Sequence, residues 1–113
     1  LGDGALMTDA DQDVGVGVNL LWTRIDGVHE SFGYRWGGTV TALTALSGIA
    51  NVTVVVDLDQ YTYEVVIDGS VVQSQVPFDN LVDLDTVRFF ADEIGDSKFA
   101  GRSFDKVEIR TLQ

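Results

Sequence analysis

Hydrophobic and polar positions alternate along most of the chain, and the alternation predicts β-strands over 14–24, 28–36, 39–44, 51–58, 61–67, 70–76, 85–92 and 103–111. No stretch of eleven or more residues keeps a 3.6-residue period. The one rival signal is Thr39 to Leu46, where Val40, Leu43 and Leu46 sit three apart; a single helical turn there leaves the class unchanged. About eight strands at this spacing fit an all-β domain of two packed antiparallel sheets.

The middle of the chain predicts its own register. With Asp59-Gln60 as a two-residue turn, Leu58 faces Tyr61, Val56 faces Tyr63, Val54 faces Val65 and Val52 faces Ile67, all on one side. The other side then carries Asp57 with Thr62, Val55 with Glu64 and Thr53 with Val66, a mixed and partly wet face. Asp68-Gly69 follows as a hairpin turn, because glycine accepts the positive φ of a primed turn. The three segments therefore form a meander, and Pro77, which has no N–H to donate, ends its third strand or places it at an edge.

The first hairpin sets turn chemistry against side-chain pairing. A two-residue turn at Asp26-Gly27 scatters the aromatic residues over both faces. Shifting the register so that Ile25 faces His29 aligns Trp22 with Phe32, Leu20 with Tyr34, Val18 with Trp36 and Arg24 with Glu30. Three apolar pairs and one ion pair outweigh the turn preference, so the second register is expected, with the extra residue taken up by a bulge.

Composition narrows the partners. The chain has 113 residues, enough for one core, and is read as a single domain, 1–113, with 1–13 as an acidic lead-in loop. Its net charge of −11 repels phosphate backbones, which argues against nucleic acid. No apolar run approaches the eighteen or so residues of a membrane span, so insertion into a bilayer is not expected. Cysteine is absent, which removes disulfides and thiolate metal sites. The opening Leu-Gly-Asp-Gly, without Met, reads as the start of a piece processed or excised from a longer chain.

Two clusters carry candidate chemistry. Asp9, Asp11 and Asp13 alternate ahead of Gly15, and a loop can converge such carboxylates on calcium, which takes six to eight hard oxygens. The pattern resembles the Asp-x-Asp-x-Asp-Gly loop of EF-hand-like and thrombospondin-type calcium repeats. It departs from them at Val14, where the glycine is expected, and at Leu20, where the helical version has Glu. A solvated acidic loop is the competing reading, and salt adaptation of an Asp-rich, Lys-poor surface is another. The second cluster is the aromatic hairpin, where Trp22, Phe32, Tyr34 and Trp36 share a face with Glu30 and Arg35 nearby. Rings stack on sugars and the polar groups bond hydroxyls, although aromatic rings also fill sandwich cores. Catalysis has little to stand on: His29 is the sole histidine, and none of Ser31, Ser47, Ser70, Ser74 and Ser103 lies in a nucleophile-elbow context.

The run Tyr-Thr-Tyr-Glu-Val-Val-Ile-Asp-Gly-Ser-Val-Val at 61–72 resembles the hairpin of concanavalin A-like, laminin-G-type sandwiches. The ending Ser-Phe-Asp-Lys-Val-Glu-Ile-Arg at 103–110 is similar to the closing strand of those domains and of jelly-roll carbohydrate-binding modules. Pro77-Phe78 and Val87-Arg88-Phe89-Phe90 fit the strand between. The resemblance covers about 51–111 and implies a jelly-roll β-sandwich, often with a structural calcium, for which it would nominate Asp105. The Glu-x-Asp-x-x-Glu strand of the related glucanases is missing, since Glu30, Glu64, Glu93 and Glu108 do not have that spacing. The expected function is therefore a non-catalytic, extracellular or cell-surface module. It would bind a glycan or polysaccharide through Trp22, Glu30, Tyr34, Arg35 and Trp36, with calcium at Asp9, Asp11, Asp13 and Asp105. A structural or adhesive domain of a cell-surface or filamentous assembly, with a protein partner, is the first alternative. An accessory fragment of a larger glycoside hydrolase is the second.

Overall fold

A computed structural model describes residues 1–7, 14–24, 30–45, 49–79, 83–88, 106–108 and 110. It is all-β, with no helix among the described residues. Among the described residues, six strands form two antiparallel three-stranded sheets. The first sheet has β1 (Leu20–Arg24), β2 (Glu30–Trp36) and β3 (Thr39–Thr44) in sequence order; the second has β4 (Val52–Asp57), β5 (Thr62–Ile67) and β6 (Ser70–Pro77).

The first hairpin adopts the shifted register, with Leu20 opposite Tyr34, Trp22 opposite Phe32 and Arg24 opposite Glu30. The ladder extends one step further through the Arg35 N–H, which donates to the Asn19 carbonyl. The strand expected over 14–24 is shorter than its pattern: 14–17 forms a turn and an isolated bridge, and β1 starts at Leu20. Thr39–Thr44 is a strand, so the spacing of Val40 and Leu43 does not mark a helix here. A bulge between Phe32 and Gly33 in the β2–β3 ladder instead brings Leu43 onto the core. Gly33 permits that approach, because a Cβ there would lie 2.1 Å from the Thr41 carbonyl oxygen.

In the second sheet every cross-strand pair expected between 52–57 and 62–67 is present. The connection differs from the two-residue turn at Asp59-Gln60. It spans Leu58–Tyr61, because the Asp57 carboxylate accepts the N–H groups of Asp59 and Gln60 and Tyr61 turns the chain back at φ 52°. Asp68 and Gly69 form the two-residue hairpin turn with φ 49° and 86°. Asp68 also ties the turn to the neighbouring strand: its N–H donates to the Asn51 carbonyl, and its carboxylate accepts the Asn51 N–H. Pro77 closes β6, an edge strand, where its missing N–H costs the ladder nothing.

One core serves both sheets. Val18 and Phe32 are buried with Tyr63, Val65, Ile67, Val76 and Phe78, and the Tyr34 ring meets Tyr63 edge-on with centroids 6.5 Å apart. The N-terminal segment is part of this body. Leu1 accepts hydrogen bonds from Gly17 and Val18, Gly2 exchanges bonds with Thr86, and Gly2, Asp3 and Met7 are buried. Of the strand expected over 85–92, Thr86 makes only an isolated bridge, and 89–92 lie outside the described residues. Of that expected over 103–111, residues 106–108 and 110 are exposed and belong to no strand, and the rest lie outside.

Candidate functional site

The pleat of β2 separates Arg35 from the rings of the aromatic hairpin. Tyr34 and Trp36 are half-buried and pack against the core, so only part of each ring faces outward. Arg35 falls between them in sequence, and alternation gives it the opposite face of β2. Trp22 and Glu30 hold register positions opposite Phe32 and Arg24. By register, Trp22, Glu30, Tyr34 and Trp36 thus fall on one face of the β1–β2 ladder, the face on which Tyr34 and Trp36 meet the core, and Arg35 falls on the other. Asp9, Asp11, Asp13 and Asp105 lie outside the described residues, among which no group of three or more potential metal ligands occurs.

A different set of groups does converge. The face of β4–β6 turned away from the core has an open concavity of roughly 490 Å³, bordered by Val55, Asp57, Gln60, Thr62, the otherwise buried Tyr63, Glu64 and Ser74–Gln75. Its walls follow from two local features. Asp57 ends β4 and holds the 58–61 turn, which brings Gln60 over the sheet. On the far side the β5–β6 ladder shifts register between Tyr63 and Val65, so Ser74 and Gln75 bulge and Gln75 takes φ 55°.

The bulge has a packing cause. A regular ladder from the Asp68-Gly69 turn would set Ser74 opposite Tyr63 on the core face. The shifts place Val76 there instead, and Val76 is buried. Ser74, displaced from the core face, joins Gln75 in the rim of the concavity. The sequence signal for this was the failure of strict alternation in Val71-Val72-Gln73-Ser74-Gln75-Val76, which is not a period-2 pattern.

Chemically the concavity offers two carboxylates, two carboxamides and two hydroxyls around the half-buried aliphatic side chain of Val55. Carboxylates accept hydrogen bonds, while amides and hydroxyls both donate and accept, so the set matches a ligand with several hydroxyl groups and an apolar face. Two further polar groups are tied up elsewhere. Asp85 accepts the Gly4 N–H and the Thr86 hydroxyl, which together hold its carboxyl below the usual carboxylate range. Tyr63, 2 % exposed, has a buried hydroxyl with no hydrogen-bond partner among the described residues, and burial followed by the neighbouring Tyr34 raises its pKa.

Comparison of the chain with models of known families, with curated proteins and with solved structures gives no match.

Proposed function

We propose that the protein is a non-catalytic carbohydrate-binding β-sandwich module whose binding surface is the outer concavity of the β4–β6 sheet. The observation that carries this reading is the convergence of Asp57, Gln60, Thr62, Glu64, Ser74 and Gln75 around Val55. A pyranose offers an apolar C–H face to the valine and equatorial hydroxyls to the surrounding acceptors and donors. The shared core and the Tyr34–Tyr63 contact support a sandwich arrangement of the two sheets. The 61–72 hairpin and the closing run at 103–110 support its likeness to concanavalin A-like and jelly-roll modules. The reading includes an extracellular or cell-surface location and a structural calcium ion at Asp9, Asp11 and Asp13.

Titration against a panel of polysaccharides and oligosaccharides tests it. Binding to at least one glycan is expected, weakened about tenfold or more by Glu64→Ala, the loss of a charge-assisted hydrogen bond. No binding across the panel, or binding indifferent to Glu64→Ala, overturns the reading. For the calcium component, a higher Tm in calcium than in EDTA is expected, and identical Tm values remove it.

A further inference from the structure

The β4 edge is the part of the molecule that neither the core nor the concavity uses. In the β4–β5 ladder, Asn51 and Asp68 are joined through the backbone, so the pairs 53–66, 55–64 and 57–62 are the hydrogen-bonded ones. Val52, Val54 and Val56 occupy the alternate pairs, and their N–H and C=O groups point away from β5. β4 is an edge of its sheet, and among the described residues no strand pairs with that side.

Edge strands are usually blunted, and the other edge of this sheet is, by Pro77 and two register shifts in its ladder. β4 has none of these devices. Its ladder with β5 is regular, it contains no proline or lysine, and no charge lies between Asn51 and Asp57. Exposed aliphatic residues stand along it: Ile49 is 98 % exposed, Val52 38 % and Leu58 61 %.

The geometry points to a second copy of this chain as the occupant: two β4 edges pair antiparallel about a two-fold axis centred on Val54, joining the two sheets into one. In that register Val54 faces its own copy and Val52 faces Val56, so all three outward residues take part, with about six hydrogen bonds. Each Asp57 faces Asn51 of the other copy, and no carboxylate is set opposite another. Ala50 faces Leu58 and Ile49 faces Asp59, which brings the exposed Ile49 and Leu58 into the two ends of the seam, on opposite faces. A heterologous strand would have to match this symmetric arrangement by chance; a second copy matches it by construction. The inference is independent of the glycan reading.

Sedimentation equilibrium on the whole chain tests it, at about 0.05 and 0.5 M salt. A dimer is expected that tightens with salt, because each copy carries a net charge of −11 that salt screens. Val52→Pro removes one outward N–H at an exposed position without taking a bond from the β4–β5 ladder, and is expected to raise the dimer Kd about tenfold or more. Ile49→Asp, set against Asp59 of the other copy, is expected to weaken the dimer more than Ile49→Lys does. Circular dichroism checks that each variant is folded, and the Ile49 pair stands alone should Val52→Pro unfold. Three outcomes overturn the proposal: a monomer at every concentration, a dimer indifferent to these substitutions, or a monomer in which the amides of Val52, Val54 and Val56 resist hydrogen exchange, since another strand then occupies the edge.

Discussion

Removing one oxygen atom from Tyr63 is expected to stabilise the protein. The Tyr63 ring lies in the shared core, between the edge of Tyr34 and the tilted ring of Phe78, and its hydroxyl is buried without a partner among the described residues. An unsatisfied buried hydroxyl costs about 1–3 kcal/mol of folding free energy. Tyr63→Phe keeps the ring and both aromatic contacts. It leaves an oxygen-sized void of about 10 Å³, which costs about 0.2 kcal/mol. The balance is a gain of about 0.8–2.8 kcal/mol, or a rise in Tm of about 3–12 °C for a domain of this size. The alkaline limb gives an independent readout. Burial and then Tyr34 raise the Tyr63 pKa, so the unfolded chain ionises this phenol first. The folded state therefore loses stability as the pH rises above about 10, the unperturbed tyrosine value. Thermal and urea unfolding of both proteins, at neutral pH and from about pH 9 to 11, measure the two effects. A lower Tm for Tyr63→Phe, with an unchanged alkaline limb, would refute the reasoning and place a hydrogen-bond partner, such as a buried water, at the hydroxyl.

Gly33→Ala is expected to destabilise by roughly 3 kcal/mol or more, measured by urea unfolding, because its Cβ would lie 2.1 Å from the Thr41 carbonyl oxygen, where only backbone movement gives relief. Asp68→Ala is expected to cost about 1–2 kcal/mol by removing the acceptor for the Asn51 N–H and straining a residue held at φ 49°. Asp68→Asn, which keeps an acceptor oxygen and tolerates that φ, is expected to recover most of the loss. The Asp85 carboxyl is held low by Gly4 and Thr86, so its contribution is present above the ordinary carboxylate pKa of about 4 and is lost as pH falls through the lowered value. Tm measured from neutral to acid pH is therefore expected to fall less steeply for Asp85→Asn, and parallel curves would exclude this role.

Local chemistry made much of the fold legible in the sequence. The second meander follows from alternating valines that allow one core-facing register and from an Asp-Gly pair that accepts positive φ at both turn positions. The first hairpin follows from side-chain pairing, since a one-residue slip would have moved every ring to the other face. In both cases the interactions span a few residues, so the pattern contains the answer. The candidate site is another matter. Register grouped Trp22, Tyr34 and Trp36 on one face with Arg35 nearby; the pleat puts Arg35 on the other face, and the demands of a core built from both sheets draw the Tyr34 and Trp36 rings inward. Tertiary packing also decided the β6 bulge: only the burial of Tyr63 against the first sheet makes Val76, rather than Ser74, the residue needed opposite it. That choice moves Ser74 off the core face, where it and Gln75 form the rim of the concavity. The sequence alone determined the class, the Asp68-Gly69 turn and the β1–β2 and β4–β5 registers, because each is set by neighbours along one or two strands. The tertiary structure decided which polar groups meet, because that depends on which residues a shared core can accept.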